Sequence, residues 1–171
     1  PLWGLPDTGP WGRTGGRAVL ADVVAGAINR HNESGAPPVV ENAEALFDAW
    51  LAVFDPPESL YLQADGSLGA DAAAGRTIFE NVGCTECHAA PLFIPPPENP
   101  PTIEEGIGTG LAPANVPSLR GAWSSAPYLH DGSRSTLREV LVGDPADGHG
   151  LLTAGLTETE LRQLIAWLLT L

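Results

Sequence analysis

The chain has 171 residues and ordinary apolar content, enough for one compact domain or a small domain plus a fragment. It has no Lys and only eight Arg, for a net charge of −13, so it cannot neutralise a row of phosphates and nucleic acid is excluded as a partner. Such an acidic surface keeps a protein soluble and favours basic partners, and no apolar run is long enough to cross a bilayer.

The first residues, 1–16, form a loop rich in Gly, Pro and Trp. Helical patterning follows over 19–28, then a turn-rich linker over 32–38. A second helix is predicted over 41–54, ended by Asp55-Pro56-Pro57. A polar loop covers 61–69, and a third helix is predicted over 70–81. Residues 90–117 are rich in Pro and Gly without periodicity, which is long for a bare loop and implies that it wraps something. A short helix is predicted over 135–142. The last runs over 158–171, with Thr157 as its N-cap and Glu160 completing a capping box. Leu161, Leu164, Ile165 and Leu168 recur at helical spacing, so one face is buried. No segment alternates like a strand for long, so the fold class is all-α with long loops.

The chain also carries an internal repeat. When Leu2 is laid on Leu119, Gly4 falls on Gly121 and Pro10 on Pro127. Gly15, Arg17, Leu20, Val23 and Gly26 then fall on Gly132, Arg134, Leu137, Val140 and Gly143. Further on, Ala49-Trp50-Leu51 falls on Ala166-Trp167-Leu168. The expected organisation is therefore a C-terminal remnant of a first domain over 1–57 and a complete second domain over 58–171. The chain opens on Pro1 with neither an initiator Met nor a signal peptide, and reads as a mature product or part of a longer protein.

The two cysteines of the chain both lie in Cys84-Thr85-Glu86-Cys87-His88. This C-x-x-C-H spacing is that of c-type haem attachment. Two thiols three apart can each join a vinyl group of one porphyrin, and the adjacent His points at the iron from the same side. A zinc site lacks its second Cys pair here. A thioredoxin-like dithiol lacks its βαβ setting. Gly75 and Phe79 share a face of the preceding helix, and Leu164 and Trp167 share a face of the last one. The crossing this implies resembles that of the first and last helices in class I cytochromes c, with Phe79 and Trp167 packed together.

With Met and Lys absent, a second axial ligand can come from His31, His130, His149, Tyr61 or Tyr128, or the position is open. His149, in the loop Asp147-Gly148-His149-Gly150, is the leading candidate. His130 reads as structural, its hydrogen bonds holding the Tyr128–Gly132 turn or reaching a haem propionate. Arg120 and Arg134 are the best propionate donors, against the plainer reading that each is a solvated cation.

The string Asn115-Val116-Pro117-Ser118-Leu119-Arg120-Gly121, followed by Ala126-Pro127-Tyr128-Leu129-His130-Asp131-Gly132-Ser133 and Thr136-Leu137, resembles the C-terminal haem domain of the dihaem cytochrome c peroxidase superfamily, which includes MauG-like and related dihaem oxidoreductases. Pro1-Leu2-Trp3-Gly4-Leu5 with Gly16-Arg17-Ala18 and His31 is similar to the matching loop of the last group. The resemblance implies two cytochrome c-like domains per protein, the C-terminal haem relaying electrons. It also implies an extracytoplasmic location, periplasmic or extracellular, a redox protein partner, and a calcium ion between the domains near Ser125-Ala126-Pro127. This chain departs from the peroxidase pattern in lacking the Met ligand, and it carries Arg13-Thr14-Gly15 where His-Asp-Gly is expected. Electron transfer is the leading expectation. A peroxidase or MauG-like oxidoreductase is the alternative, and a non-redox haem-stabilised interaction module ranks last.

Overall fold

A computed structural model describes residues 43–53, 57–95, 116–129, 131–143 and 149–171, together with Gly9, Leu20, Val23, Val24 and Gly26. The described residues form five α-helices and two short 3₁₀ turns, and no strand. The helices are α1 (Ala43–Ala52), α2 (Ala70–Asn81), α3 (Leu137–Leu141), α4 (His149–Thr153) and α5 (Glu158–Leu168). The all-α expectation holds. Leu20, Val23, Val24 and Gly26, which fall in the helix predicted over 19–28, are helical, with Leu20 and Val24 buried.

The fold beyond residue 57 is organised by the crossing of α2 and α5. Gly75 makes the close approach possible: a Cβ built on it would lie 1.8 Å from the Gln163 carbonyl oxygen and 2.9 Å from Trp167 Cβ. Any side chain there would force the two backbones apart. On the core side of the crossing, Phe79, Leu141, Leu161, Leu164, Trp167 and Leu168 form one buried cluster, with Leu164 fully enclosed. Burying a side chain such as Leu164 contributes roughly 1.5–3 kcal/mol. At the surface, Gln163 Nε2 donates to Asp71 Oδ1 at 3.3 Å, and the Arg76 guanidinium lies 5.8 Å from the centre of the Trp167 ring. The predicted pairing of Phe79 with Trp167 has an intermediary: Phe93 stands edge-on to both, its ring centre 6.2 Å from each.

Helix ends follow their caps. Thr157 and Glu160 form the predicted capping box on α5, and an N-cap of this kind is worth about 1 kcal/mol. A second box, Thr136 with Glu139, starts α3 two residues later than predicted. The last helix stops at Leu168, short of the predicted 171, where the Thr170 and Leu171 N–H groups turn to the Trp167 and Leu168 carbonyls three residues back. Ser59 Oγ donates to the Leu169 carbonyl at 2.5 Å, and the Gly121 N–H donates to that of Leu171 at 2.6 Å. These two bonds tie the 57–69 loop and the 116–129 segment to the end of α5. Of the long loop predicted over 90–117, residues 90–95 and 116–117 are described, and the first stretch folds back through a bridge between Ala89 and Ile94.

Candidate functional site

The Cys-x-x-Cys-His motif follows directly on α2. Gly83 takes a left-handed conformation, with φ of 88°, which turns the chain out of the helix at little steric cost. Cys84–Glu86 then form a 3₁₀ turn, in which the Cys87 and His88 N–H groups both donate to the Cys84 carbonyl. Both thiols are free, and Cys84 packs against the core cluster. Burial pushes the Cys84 thiol up to about 11. Cys87 is also raised, by burial first and then by the Glu86 charge. Thiols held protonated in this way are unlike the low-pKa cysteine of a redox dithiol.

His88 is buried. Its Nδ1 lies 3.2 Å from the Phe93 carbonyl oxygen, so that nitrogen carries the proton and Nε2 keeps its lone pair for a metal. Burial depresses its pKa to about 4, outweighing the Phe93 and Pro117 carbonyls that favour the charged form; His149 lowers it further. The ring is therefore neutral near pH 7, as a ligand must be. Phe93 is held at φ 53°, a left-handed conformation costing on the order of 1–3 kcal/mol for a residue with a side chain. In that conformation its carbonyl meets His88 while its ring enters the aromatic cluster.

His149 faces His88. The two rings are 19° from parallel, with centres 6.5 Å apart. Two imidazoles each bonded at about 2 Å to one metal ion between them have ring centres separated by roughly 6 Å, which the observed spacing accommodates. His149 differs from its expected setting in one respect: it opens the short helix α4 instead of lying in a loop. The physical reason is that Gly150 and Thr153 are buried, and Thr153 Oγ1 lies within hydrogen-bonding distance of the His149 carbonyl.

The segments that carry the candidate propionate donors are tied together by hydrogen bonds. Arg120 is half-buried, its N–H donating to Ser118 Oγ, and Ser118 Oγ in turn donates to the Leu92 carbonyl. Arg134 joins Tyr128 through a two-residue antiparallel bridge, and the Tyr128 hydroxyl donates to the Ala122 carbonyl. His130 and His31 lie outside the described residues. Ser125 Oγ donates to the Gly121 carbonyl at 2.7 Å. Among the described residues, no group of three or more His, Cys, Asp or Glu is placed to hold a metal ion. Trp167 Nε1 is the one buried side-chain polar atom without a hydrogen-bond partner among them. It belongs to the cluster on which Cys84 rests. The donor set therefore suits a haem: two thiols at one turn, one imidazole oriented by a carbonyl, and a second imidazole facing it.

Sequence reasoning missed Phe93, Thr153 and the Thr136–Glu139 cap. The cap was readable as Thr-x-x-Glu. A left-handed Phe was not, since that conformation ordinarily selects Gly or Asn.

A family model for RoxA-like, cytochrome c-like domains matches residues 115–146. The methylamine utilization protein MauG of Methylorubrum extorquens is 30% identical over 150 residues, covering 76% of this chain and 40% of that protein. The cytochrome c551 peroxidase of Nitrosomonas europaea is 26% identical over 148 residues, covering 77% of this chain and 43% of that protein. The chain resembles the MauG-like dihaem cytochrome c peroxidase superfamily. A solved MauG-like protein associated with microbial copper homeostasis shares the fold, with a TM-score of 0.62 over 93% of this chain and 68% of that one, at 20% identity. The chain spans less than half the length of these two curated relatives. The likeness to cytochrome c-like domains implies haem c as the cofactor. No helix among the described residues is long and apolar enough to cross a membrane.

Proposed function

We propose that this chain carries one haem c, bound through thioether links to Cys84 and Cys87, with His88 and His149 as the two axial ligands, and that it relays electrons within a dihaem protein. The observation that carries the proposal is the near-parallel pair of imidazoles 6.5 Å apart, one of them already oriented by the Phe93 carbonyl. A haem bound there supplies a one-electron couple between ferric and ferrous iron. His88 and His149 would hold the haem iron from its two sides, and with both in place electron relay would be favoured over turnover of peroxide. Ligation by two His, with no Met in the chain, favours a lower potential than His/Met ligation. Arg120, Arg134 and His130 serve the propionates.

In this reading residues 1–57 are the end of a first cytochrome c-like domain, and 58–171 are a complete second one. The burial pattern supports it. Leu51 and its repeat partner Leu168 are both buried, as equivalent positions of two like domains would be. The protein works outside the cytoplasm, in the periplasm or beyond, where haem is joined to Cys-x-x-Cys-His motifs. It exchanges electrons with a redox protein, and a calcium ion near Ser125-Ala126-Pro127 completes the junction between its halves.

The names of the relatives favour a second reading, in which the protein is a peroxidase or MauG-like oxidoreductase with an open iron. Redox titration combined with cyanide addition separates the two. The relay reading expects a reversible one-electron couple at this haem and slow cyanide binding. Rapid cyanide binding at this haem, with peroxide-dependent oxidation of a reduced donor, establishes the enzyme instead.

A further inference from the structure

Between the core and His149 stands one buried hydroxyl. Thr153 is the last residue of α4, one helical turn beyond His149. Its Oγ1 lies 2.5 Å from the Leu141 carbonyl oxygen and 3.0 Å from that of His149. A Thr hydroxyl has one hydrogen, and the shorter contact takes it. Leu141 is the last residue of α3, and its side chain is part of the core cluster with Leu164 and Trp167. A continuous path of contacts therefore runs from the α2–α5 core through Leu141 and Thr153 to the turn that carries His149. Helix α4 has only five residues and cannot hold its own geometry, since a helix this short is unstable without tertiary contacts. Its position against the core depends on such a latch.

We propose that Thr153 is a positioning residue for the second axial ligand, its hydroxyl pinning α4 to the end of α3 so that His149 stays opposite His88. The inference rests on the axial role proposed above for His149. Removing the hydroxyl loses a buried bond and leaves the Leu141 carbonyl without its donor. α4 then swings away more often, and His149 leaves its position more often with it.

The test compares wild type, Thr153→Val and Thr153→Ser as the haem-loaded full chain, read by the ferric absorption spectrum and the rate of cyanide binding. Val keeps the shape and loses the hydroxyl; Ser keeps the hydroxyl. The expectation is a low-spin wild type, cyanide binding roughly ten-fold faster in the Val variant, and a near-wild-type rate in the Ser variant. A low-spin wild type with an unchanged rate in Thr153→Val overturns the role of Thr153 and leaves His149 as the ligand. A high-spin wild type overturns the ligation itself and the latch with it. Thr153→Ala, which also lacks the hydroxyl, carries the same two outcomes if the Val variant does not accumulate. Ser rescue separates the latch from packing, because a packing role would make Ser as disruptive as Ala.

Discussion

Two histidines far apart in the chain, His88 and His149, meet ring to ring with centres 6.5 Å apart and planes within 19°. The first follows the thiols on their 3₁₀ turn, and the second opens a separate short helix. The two sides of the site therefore depend on different parts of the fold, and each can be perturbed separately.

Replacing His149 tests the far side. His149→Ala is expected to turn a low-spin ferric spectrum high-spin and to speed cyanide binding by at least about ten-fold, the equivalent of one modest bond. His149→Met is expected to raise the midpoint potential, since a Met ligand raises it. Absorption spectra and a redox titration report both.

The helix crossing yields a stability prediction. Gly75→Ala puts a Cβ against the Gln163 backbone, which cannot move aside as a flexible side chain would. The expected cost is about 3 kcal/mol, the upper end for overpacking, or roughly a 10 °C fall in Tm for a domain of this size. Gly155→Ala is the control, because nothing lies within 4 Å of a Cβ built there. Thermal denaturation of the two variants should differ accordingly.

Phe93 combines a left-handed backbone with an aromatic contact on either side. Both Phe93→Ala and Phe93→Gly lose the ring, at a cost of about 3–5 kcal/mol. Gly also relieves the backbone, so it should be the more stable of the two by about 1 kcal/mol. Chemical denaturation that ranks Ala above Gly would contradict the left-handed assignment.

Acid should weaken the start of α5. The Arg138 guanidinium holds Glu158 below the usual carboxylate range, and the Thr157 backbone N–H and hydroxyl hold Glu160 below it. Because both folded values are lowered, their stabilisation is fully present above the ordinary value of 4.5 and is lost as pH falls below it. Glu160→Gln keeps an acceptor for the cap, and its Tm should fall less steeply with acid than that of wild type.

Much of this was legible in the chain itself. The Cys84–His88 spacing, the Gly75 and Phe79 face, and the Thr157–Glu160 cap are local patterns, and local patterns survive folding. The 70–81 helix has the predicted bounds because its apolar face and the turn at Gly83 agree. What was not legible depends on contacts between distant segments. Phe93 lies in a stretch without periodicity, and its conformation is fixed by what its carbonyl and ring meet. Thr153 gains its role from Leu141, a residue on another helix. The short helix that begins at His149 escapes a reading of the flanking Gly residues, which by themselves signal a loop.

The central claim is the covalent attachment, and peptide mapping of the denatured full chain tests it most directly. The account predicts that the peptide containing Cys84 to His88 carries one haem by mass and does not react with a thiol alkylating agent. A colourless peptide with both cysteines alkylated would contradict it.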